Sequence, residues 1–425
     1  MRPAVPALLR ESGFRRYWTG QSVSLIGDQI SFIALPLAAV YVLHADAAQM
    51  GWLKMAELLP ALLFSLPAGA WADRLGSRRR AMILTDVVRA VLLATLPLAY
   101  AFGLLTLPQL YAVAFGVGVL TVLFDVCNIA LFASLIPTER YVDANSLVNG
   151  SRALSFVAGP SAGGFLVQLL AAPLALLADA CTFLVSALCL TRISPSEPPP
   201  AKAEKGHFLA GLRWLLRNPS MRALFAAGGT TQFFNFIFHT LFVLYATTEL
   251  HLGAGAIGTT LGIGAVGGLF GAVCTGAVVR RCGVGPSILI GFAGFSIPLL
   301  VVPLAAGPTW LLLVLLGAAE FVSCVGVMIV DIASGSLQIA LMPPSMRSRI
   351  QGAFRTLNHG VRPLGALAGG LLGSTLGLRP ALWIGTAGAV LALLWLLPSP
   401  VPGTRTLPEP PLEENAEVSA AAAAS

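Results

Sequence analysis

Residues 69–80 read Gly69-Ala-Trp-Ala-Asp73-Arg74-Leu-Gly76-Ser-Arg78-Arg79-Arg80, a short basic stretch between two long apolar runs. Those runs, 51–72 and 81–102, each have the ~20 residues that a helix needs to cross a ~30 Å hydrocarbon layer. So short and charged a connection between such runs is a turn at a membrane surface. The same alternation continues in both directions, with apolar runs at 17–43, 51–72, 81–102, 109–135, 146–170, 172–191, 223–248, 256–279, 286–306, 309–341, 353–376 and 380–399. Of 425 residues, 56% are hydrophobic and 11% charged, with a mean hydropathy of +0.82. A soluble domain carries about a quarter of its residues charged, so most of this surface faces something other than water. A membrane barrel would need ~10-residue alternating segments, which the sequence lacks.

The net charge of +7 is not gathered into a patch that would suit nucleic acid. Instead, Lys and Arg crowd into alternate gaps: the N-terminal segment (Arg2, Arg10, Arg15, Arg16), 73–80, 136–145, 192–222, 280–285, 342–352 and the tail. The intervening gaps hold Arg379 alone, while Lys54, Arg89, Arg152, Arg355 and Arg362 lie inside spans. By the positive-inside rule both termini are cytoplasmic in a multi-pass protein of the cytoplasmic membrane. The first run is too long for a signal-peptide core and has no cleavage site, so it reads as an uncleaved helix. The six cysteines show no CxxC spacing, which leaves no basis for a disulfide framework or a zinc site. With no nucleophile elbow, Walker loop or HExxH, neither an enzyme nor an ATP-driven pump is expected, and no cofactor or metal. The glycines at 262–268 lie within an apolar span and read as helix packing.

The two halves repeat one another. Gly276-Ala-Val-Val-Arg280-Arg281-Cys-Gly283 follows span eight as 69–76 follows span two, 207 residues later. Asp125 and Pro137 recur as Asp331 and Pro343, and Gly163-Gly164 as Gly369-Gly370, each at an offset of 206. Parallel duplication of this kind marks a two-bundle membrane protein. The expected organisation is an N-terminal six-helix bundle over 1–191, a cytoplasmic linker over 192–222, a C-terminal six-helix bundle over 223–399 and a disordered tail over 400–425.

Twelve spans, a central linker and Gly69-x-x-x-Asp73-Arg74-x-Gly76-x-Arg78-Arg79 resemble the major facilitator superfamily and its loop 2–3 signature. Gly159-Pro160-x-x-Gly163-Gly164 in span five resembles the core of the superfamily's antiporter motif, with Ser146 and Ser155 in place of two upstream glycines. The stretches 14–31 and 137–152 are similar to the bacterial exporters of macrolides and enterobactin. The resemblance implies an all-α fold of two pseudo-symmetric bundles, with spans 1, 4, 7 and 10 lining a central cavity. It also departs from the family: span four lacks the arginine of many proton-coupled members, and Arg280 stands where the first half has Asp73.

Polar residues inside the spans carry the site expectation. A charge at mid-bilayer costs about 2.5–3.5 kcal/mol on insertion scales, so it should face a cavity or a partner. Asp28 lies 12 residues beyond Arg16, and Asp125 and Asp331 lie 12 before Pro137 and Pro343. At 1.5 Å per residue each is about 18 Å from the inner boundary. Asn235 completes the level on span seven, and Arg362 on span eleven is placed either to pair with Asp331 or to meet an anionic group. Asp28, Asp125, Asn235, Asp331 and Arg362 are thus the expected cavity, the carboxylates forming a protonatable cluster for which a polar or cationic substrate competes. Asp73, with Gly69, Arg74, Gly76, Arg78 and Arg79, is the expected latch, its carboxylate capping span eleven near Gly352. Gly159, Pro160, Gly163 and Gly164 supply close packing and a bend.

Other charges have structural readings. Asp86–Arg89 and Lys54–Glu57 are three apart and expected to pair within their helices. Arg152 and Asp179 are expected in interhelical contacts, and His239 and His359 as packing residues. Glu320, eleven residues before Asp331, returns to nearly the same face and stands either at the outer mouth of the cavity or at a wet interface. The expected function is proton-coupled export of a small amphipathic compound by a monomer. A metabolite importer or facilitator, or a non-transporting receptor or scaffold, are the alternatives.

Overall fold

The structure, a computed structural model, describes residues 7–74, 77–137, 140–193, 208–343 and 346–408, without the side chains of 65–74, 208–210, Ser348, Arg355 and Leu357. The described residues are helical almost throughout, without strands. The helices are α1 (Ser12–Tyr41), α2 (Ala47–Arg74), α3 (Arg78–Ala101), α4 (Leu107–Leu135), α5 (Tyr141–Leu170), α6 (Ala172–Thr191) and α7 (Phe208–Arg217). They continue as α8 (Pro219–Thr248), α9 (Ala254–Cys282), α10 (Val284–Ser296), α11 (Thr309–Leu341), α12 (Arg347–Leu376), α13 (Leu378–Val390) and α14 (Leu393–Leu396). Among the described residues, nine helical stretches are long and apolar enough to cross a membrane. The other long helices, α2, α8 and α12, have 28, 30 and 30 residues and coincide with spans two, seven and eleven.

Local chemistry sets the helix ends. Thr106 is extended before α4 and Pro108 occupies its first turn, where a missing N–H costs no hydrogen bond. The turn into α10 is made at Gly283 (φ 90) and the turn into α13 at Gly377 (φ 91), left-handed positions that favour glycine. Three details depart from the sequence expectation. Span nine is not one α-helix: α10 ends at Ser296, and a 3₁₀ segment, Pro298–Leu304, completes it, because Pro298 and Pro303 lack the N–H that an α-ladder needs. The expected linker contains α7, whose leucines recur at helical spacing and bury Leu215 completely against Met221, Met342 and Ile350. The start of the expected tail is anchored, with Val401 fully buried and Gly285 N donating to Thr404 O at 2.7 Å. The expected linker residues 194–207 and tail residues 409–425 lie outside the described residues.

The chain divides into two compact units, Met1–Ala203 with Val243–Gly262, and Glu204–Phe242 with Ile263–Ser425. The C-terminal end of α8 and the N-terminal end of α9 therefore belong with the first unit. In that unit α1 packs on α5 and α6, α3 on α4 and α6, and α2 on α4. In the second, α11 packs on α10 and α12 on α7 and α13. The internal repeat is visible in the packing of each unit taken alone. A Cβ added to Gly163 would lie 3.0 Å from Ile30 Cα, and one added to Gly369 would lie 3.0 Å from Ile237 Cα. One residue pair thus makes the same backbone approach twice, α5 on α1 and α12 on α8.

The glycines of span five work on two sides. Gly159 and Gly163 meet Gln29 and Ile30 of α1, while Gly164 faces the first turns of α9, where an added Cβ would collide with Ala254 O and lie 3.0 Å from Gly258 Cα. Ser161 Oγ donates to Gly258 O at 3.3 Å beside it. Because the obstacle is backbone, Gly164→Ala is expected to destabilise the protein by about 1–3 kcal/mol, the usual cost of overpacking. A lowered thermal midpoint in detergent checks this, and an unchanged midpoint would refute the close approach.

Candidate functional site

Four helices of the first unit bring their charges together. Asp86 and Arg89, on consecutive turns of α3, form an ion pair as the sequence spacing predicts, both buried at 0% and 2% exposure. Arg89 Nη1 also donates to Thr121 Oγ1 of α4 at 3.4 Å. Its guanidinium carbon lies 4.4 Å from the Phe124 ring centroid and 4.2 Å from that of Phe183, so two aromatic rings accept what the carboxylate leaves over. On α6, Asp179 is buried and accepts from Ser31 of α1 and from Thr182 Oγ1 at 3.0 Å. Gly27 makes that crossing possible, since a Cβ there would overlap Thr182 Oγ1 and Asp179 Oδ1.

Asp28 and Asp125 belong to the same cluster yet differ from it. Asp28 interacts electrostatically with Asp179, Arg89, Asp125 and Asp86, and Asp125 with Arg89 and Arg152. Unlike Asp86 and Asp179, both are exposed, and among the described residues neither makes a hydrogen bond or ion pair. Four carboxylates surround one buried guanidinium. Two are tied down and two are open. A second polar chain runs beside them: Tyr17 donates to Asn128 Oδ1 at 2.7 Å, Asn128 Nδ2 to Gln21 Oε1 at 3.4 Å, and Ser22 Oγ to Ser151 Oγ at 2.8 Å. Arg152 is exposed, and its influence reaches Asp125 and Tyr17.

The second unit has its own polar level. Asp331 is exposed on α11 and interacts electrostatically with Arg362 of α12, but among the described residues the two make no ion pair or hydrogen bond. The direct contacts of Arg362 are with α8: with the Gln232 amide assigned so that its oxygen faces the guanidinium, Nη2 and Nε donate to that oxygen at 2.5 and 3.2 Å, and the guanidinium lies 5.3 Å from the Phe236 ring centroid. Gln232 had no sequence signal as an arginine partner, because the contact joins residues 130 apart in the chain. Asn235 is 8% exposed, and among the described residues its Oδ1 has no hydrogen-bond partner, as is also true of Thr231 Oγ1. His239 packs against Phe238 with ring centroids 5.5 Å apart.

Of the expected latch, the Gly69, Asp73 and Arg74 side chains and Gly76 lie outside what is described. Arg79 donates to Leu190 O at 3.0 Å and Thr191 O at 2.9 Å, which ties the start of α3 to the last carbonyls of α6. Lys54 and Glu57 pair at 2.9 Å, as their spacing predicts. Glu320, expected at a mouth or a wet interface, is instead 6% exposed. No group of metal-binding side chains occurs among the described residues.

Duplicated helical units with ionisable residues set inside apolar helices define a multi-pass membrane transport protein. Residues 17–364 match the family model of the Major Facilitator Superfamily, and the chain belongs to that family. It is 26% identical over 373 residues to the multidrug efflux pump Tap of Mycolicibacterium fortuitum, covering 83% of this chain and 87% of that protein. It is 25% identical over 261 residues to the class D tetracycline resistance protein of Salmonella ordonez, covering 59% and 63% of the two chains. Among solved structures, a bacterial homologue of the iron transporter ferroportin in its inward-facing state superposes with a TM-score of 0.75 at 19% identity, covering 92% of this chain and 99% of that one.

Proposed function

We propose that the protein is a proton-coupled exporter that moves a small amphipathic compound out across the cytoplasmic membrane by alternating access, with both termini in the cytoplasm. One observation carries this reading: among the described residues Asp28 and Asp125 stand open and without a hydrogen bond or ion pair in the middle of apolar helices, in electrostatic range of a buried Arg89 that is itself ion-paired with Asp86. A carboxylate left open at that depth costs several kcal/mol against lipid, so its partner is water, a proton or a ligand. Asp28 and Asp125 bind either a proton or the cationic or polar end of the substrate, and this exclusivity is the coupling. Asp331, balanced by Arg362, and Asn235 contribute the polar contacts of the second unit. Gly159, Pro160, Gly163 and Gly164 set the close helix approach, and Asp73 with Gly69, Arg74, Gly76, Arg78 and Arg79 latches the outward-open state. Export is favoured by the likeness to an efflux pump and a drug-resistance protein.

The test uses inverted membrane vesicles with an acidified lumen and ethidium, a lipophilic cation, as probe. Vesicles containing the protein should accumulate ethidium above control vesicles, and a protonophore should release it. Equilibration without accumulation would make the protein a facilitator and remove proton coupling. No ethidium movement, and none in a wider screen of toxic amphiphiles, would remove the export reading.

A further inference from the structure

Glu320 sits in the second unit, on the same helix as Asp331 but eleven residues before it. Its side chain on α11 is 6% exposed, and among the described residues its Oε1 has no hydrogen-bond partner. The wall opposite is Gly264 of α9, where an added Cβ would come within 3.2 Å of Glu320 Cβ and 3.3 Å of Cys324 Sγ. Below it, Gly267 and Gly271 bring α9 onto the backbone of Phe321 and Val325, which closes the seam on that side. On the other side α10 and the 3₁₀ segment pack on α11, with Ser323 Oγ donating to Phe295 O at 2.9 Å.

Among the described residues no neighbour supplies a countercharge. Residues 263–273 of α9, α10 and Pro298–Leu304 contain no titratable side chain. The group in electrostatic range of Glu320 is Cys324, one turn along α11, a weak donor of no positive charge. Asp331 stands eleven residues further along, about 16 Å at 1.5 Å per residue, on nearly the same face. An ionised carboxylate enclosed without a cation or donors costs several kcal/mol even after relaxation, and nothing in the packing of this seam requires an acid there. An amide or a leucine would fill the space at less cost.

We propose that Glu320 is a second proton-binding site, which takes up the driving proton in the second unit and releases it toward Asp331. This rests on the proton-coupled reading above, but it assigns a separate group to a separate unit. The proton binds as O–H on the carboxyl and leaves as a proton, with no change in any other bond. The seam between the glycines of α9 and residues 320–325 of α11 governs access, because Glu320 exchanges its proton only when the two helices part.

The experiment has two arms. In the first, the purified protein in lipid nanodiscs is treated with dicyclohexylcarbodiimide, a lipophilic reagent that adds to protonated carboxyls, and the modified peptides are mapped. Glu320 should be labelled, and labelling should fall as pH rises; an unlabelled Glu320 at every pH would overturn the proposal. In the second, wild-type and Glu320→Gln proteins are reconstituted into liposomes, with ethidium as substrate and pyranine reporting internal pH. The isosteric amide should leave the thermal midpoint unchanged and retain downhill ethidium flux, but proton movement with ethidium and uphill accumulation should be lost. Glu320→Gln with wild-type proton movement would overturn the proposal. If the wild-type protein moves no ethidium, the export reading fails, while the labelling arm still decides whether Glu320 binds a proton.

Discussion

Asp28→Asn and Asp125→Asn are each expected to reduce uphill ethidium accumulation to the level of vesicles without the protein, and to do so without loss of folded protein. The second half of that expectation follows from burial. Neither carboxylate makes a hydrogen bond or ion pair among the described residues, and both are exposed. Substitutions at such positions usually change stability by less than about 0.5 kcal/mol. The first half follows from charge. With Asp86 held by Arg89 and Asp179 by Ser31 and Thr182, the open pair are the carboxylates of the cluster left to exchange a proton for a ligand. Asparagine fills the same volume but can neither ionise nor carry a transferable proton. Asp331→Asn should be milder, because Arg362 keeps Gln232 and the Phe236 ring when the carboxylate is gone. Accumulation assays beside melting curves measure both halves. Wild-type accumulation in Asp28→Asn or Asp125→Asn would show that these carboxylates do not carry the coupling, and non-transporting variants that also fail to insert would point to a structural role.

What the sequence displayed and what it concealed divide along one physical line, the range of the interaction. Period and length are local, so the apolar runs that gave the spans also gave the helices. The i,i+3 pairs Asp86–Arg89 and Lys54–Glu57 could be read because helix geometry alone brings such residues together. The break of span nine was available from Pro298 and Pro303 but was masked by the unbroken apolarity of residues 284–304. The α7 helix was hidden because its own residues read as helical while its neighbourhood, rich in Pro and charge, read as linker. Arg89 shows the limit. Its partners come from α1, α3, α4 and α6, and no spacing in the chain announces that four carboxylates converge on one guanidinium. The same holds for Gln232 with Arg362, and for the enclosure of Glu320, which depends on a glycine 56 residues away in another helix.

The internal repeat adds a constraint that neither half gives alone. The matched approaches of Gly163 to Ile30 and Gly369 to Ile237 mean that both units hold the span bearing Asp28 or Asn235 by the same glycine contact. The polar chemistry on these shared frames has diverged. The first unit has an excess of carboxylate around Arg89, whereas the second places Arg362 against an amide and a ring and leaves Asp331 at electrostatic distance. The asymmetry suits one frame to binding positive charge and the other to polar contacts, which is why the cationic end of a substrate is assigned to the first unit.

Arg89→Met should be the most destabilising single substitution in the first unit. A buried ion pair contributes little relative to a well-packed apolar pair, but removing one partner strands the other, at a cost of about 3–5 kcal/mol. Here the cost is raised by what else the guanidinium does. Loss of Arg89 leaves buried Asp86 without a countercharge, withdraws the cation that Phe124 and Phe183 enclose, and leaves Asp28, Asp125 and Asp179 facing one another without their common neighbour. The converse change, Asp86→Asn, should cost less, since Arg89 then keeps three carboxylates in range, both rings and Thr121. The double variant Asp86→Asn/Arg89→Met removes both charges from the buried site and should recover much of the stability lost in Arg89→Met alone, a coupling of the order of 0.5–3 kcal/mol between contacting residues. Denaturant unfolding of the four proteins in the same detergent measures the cycle. Recovered folding without recovered ethidium accumulation would place Arg89 in the electrostatics of the open carboxylates as well as in the core. If Arg89→Met unfolded no more easily than the wild type, Arg89 would not be the centre on which this cluster is built.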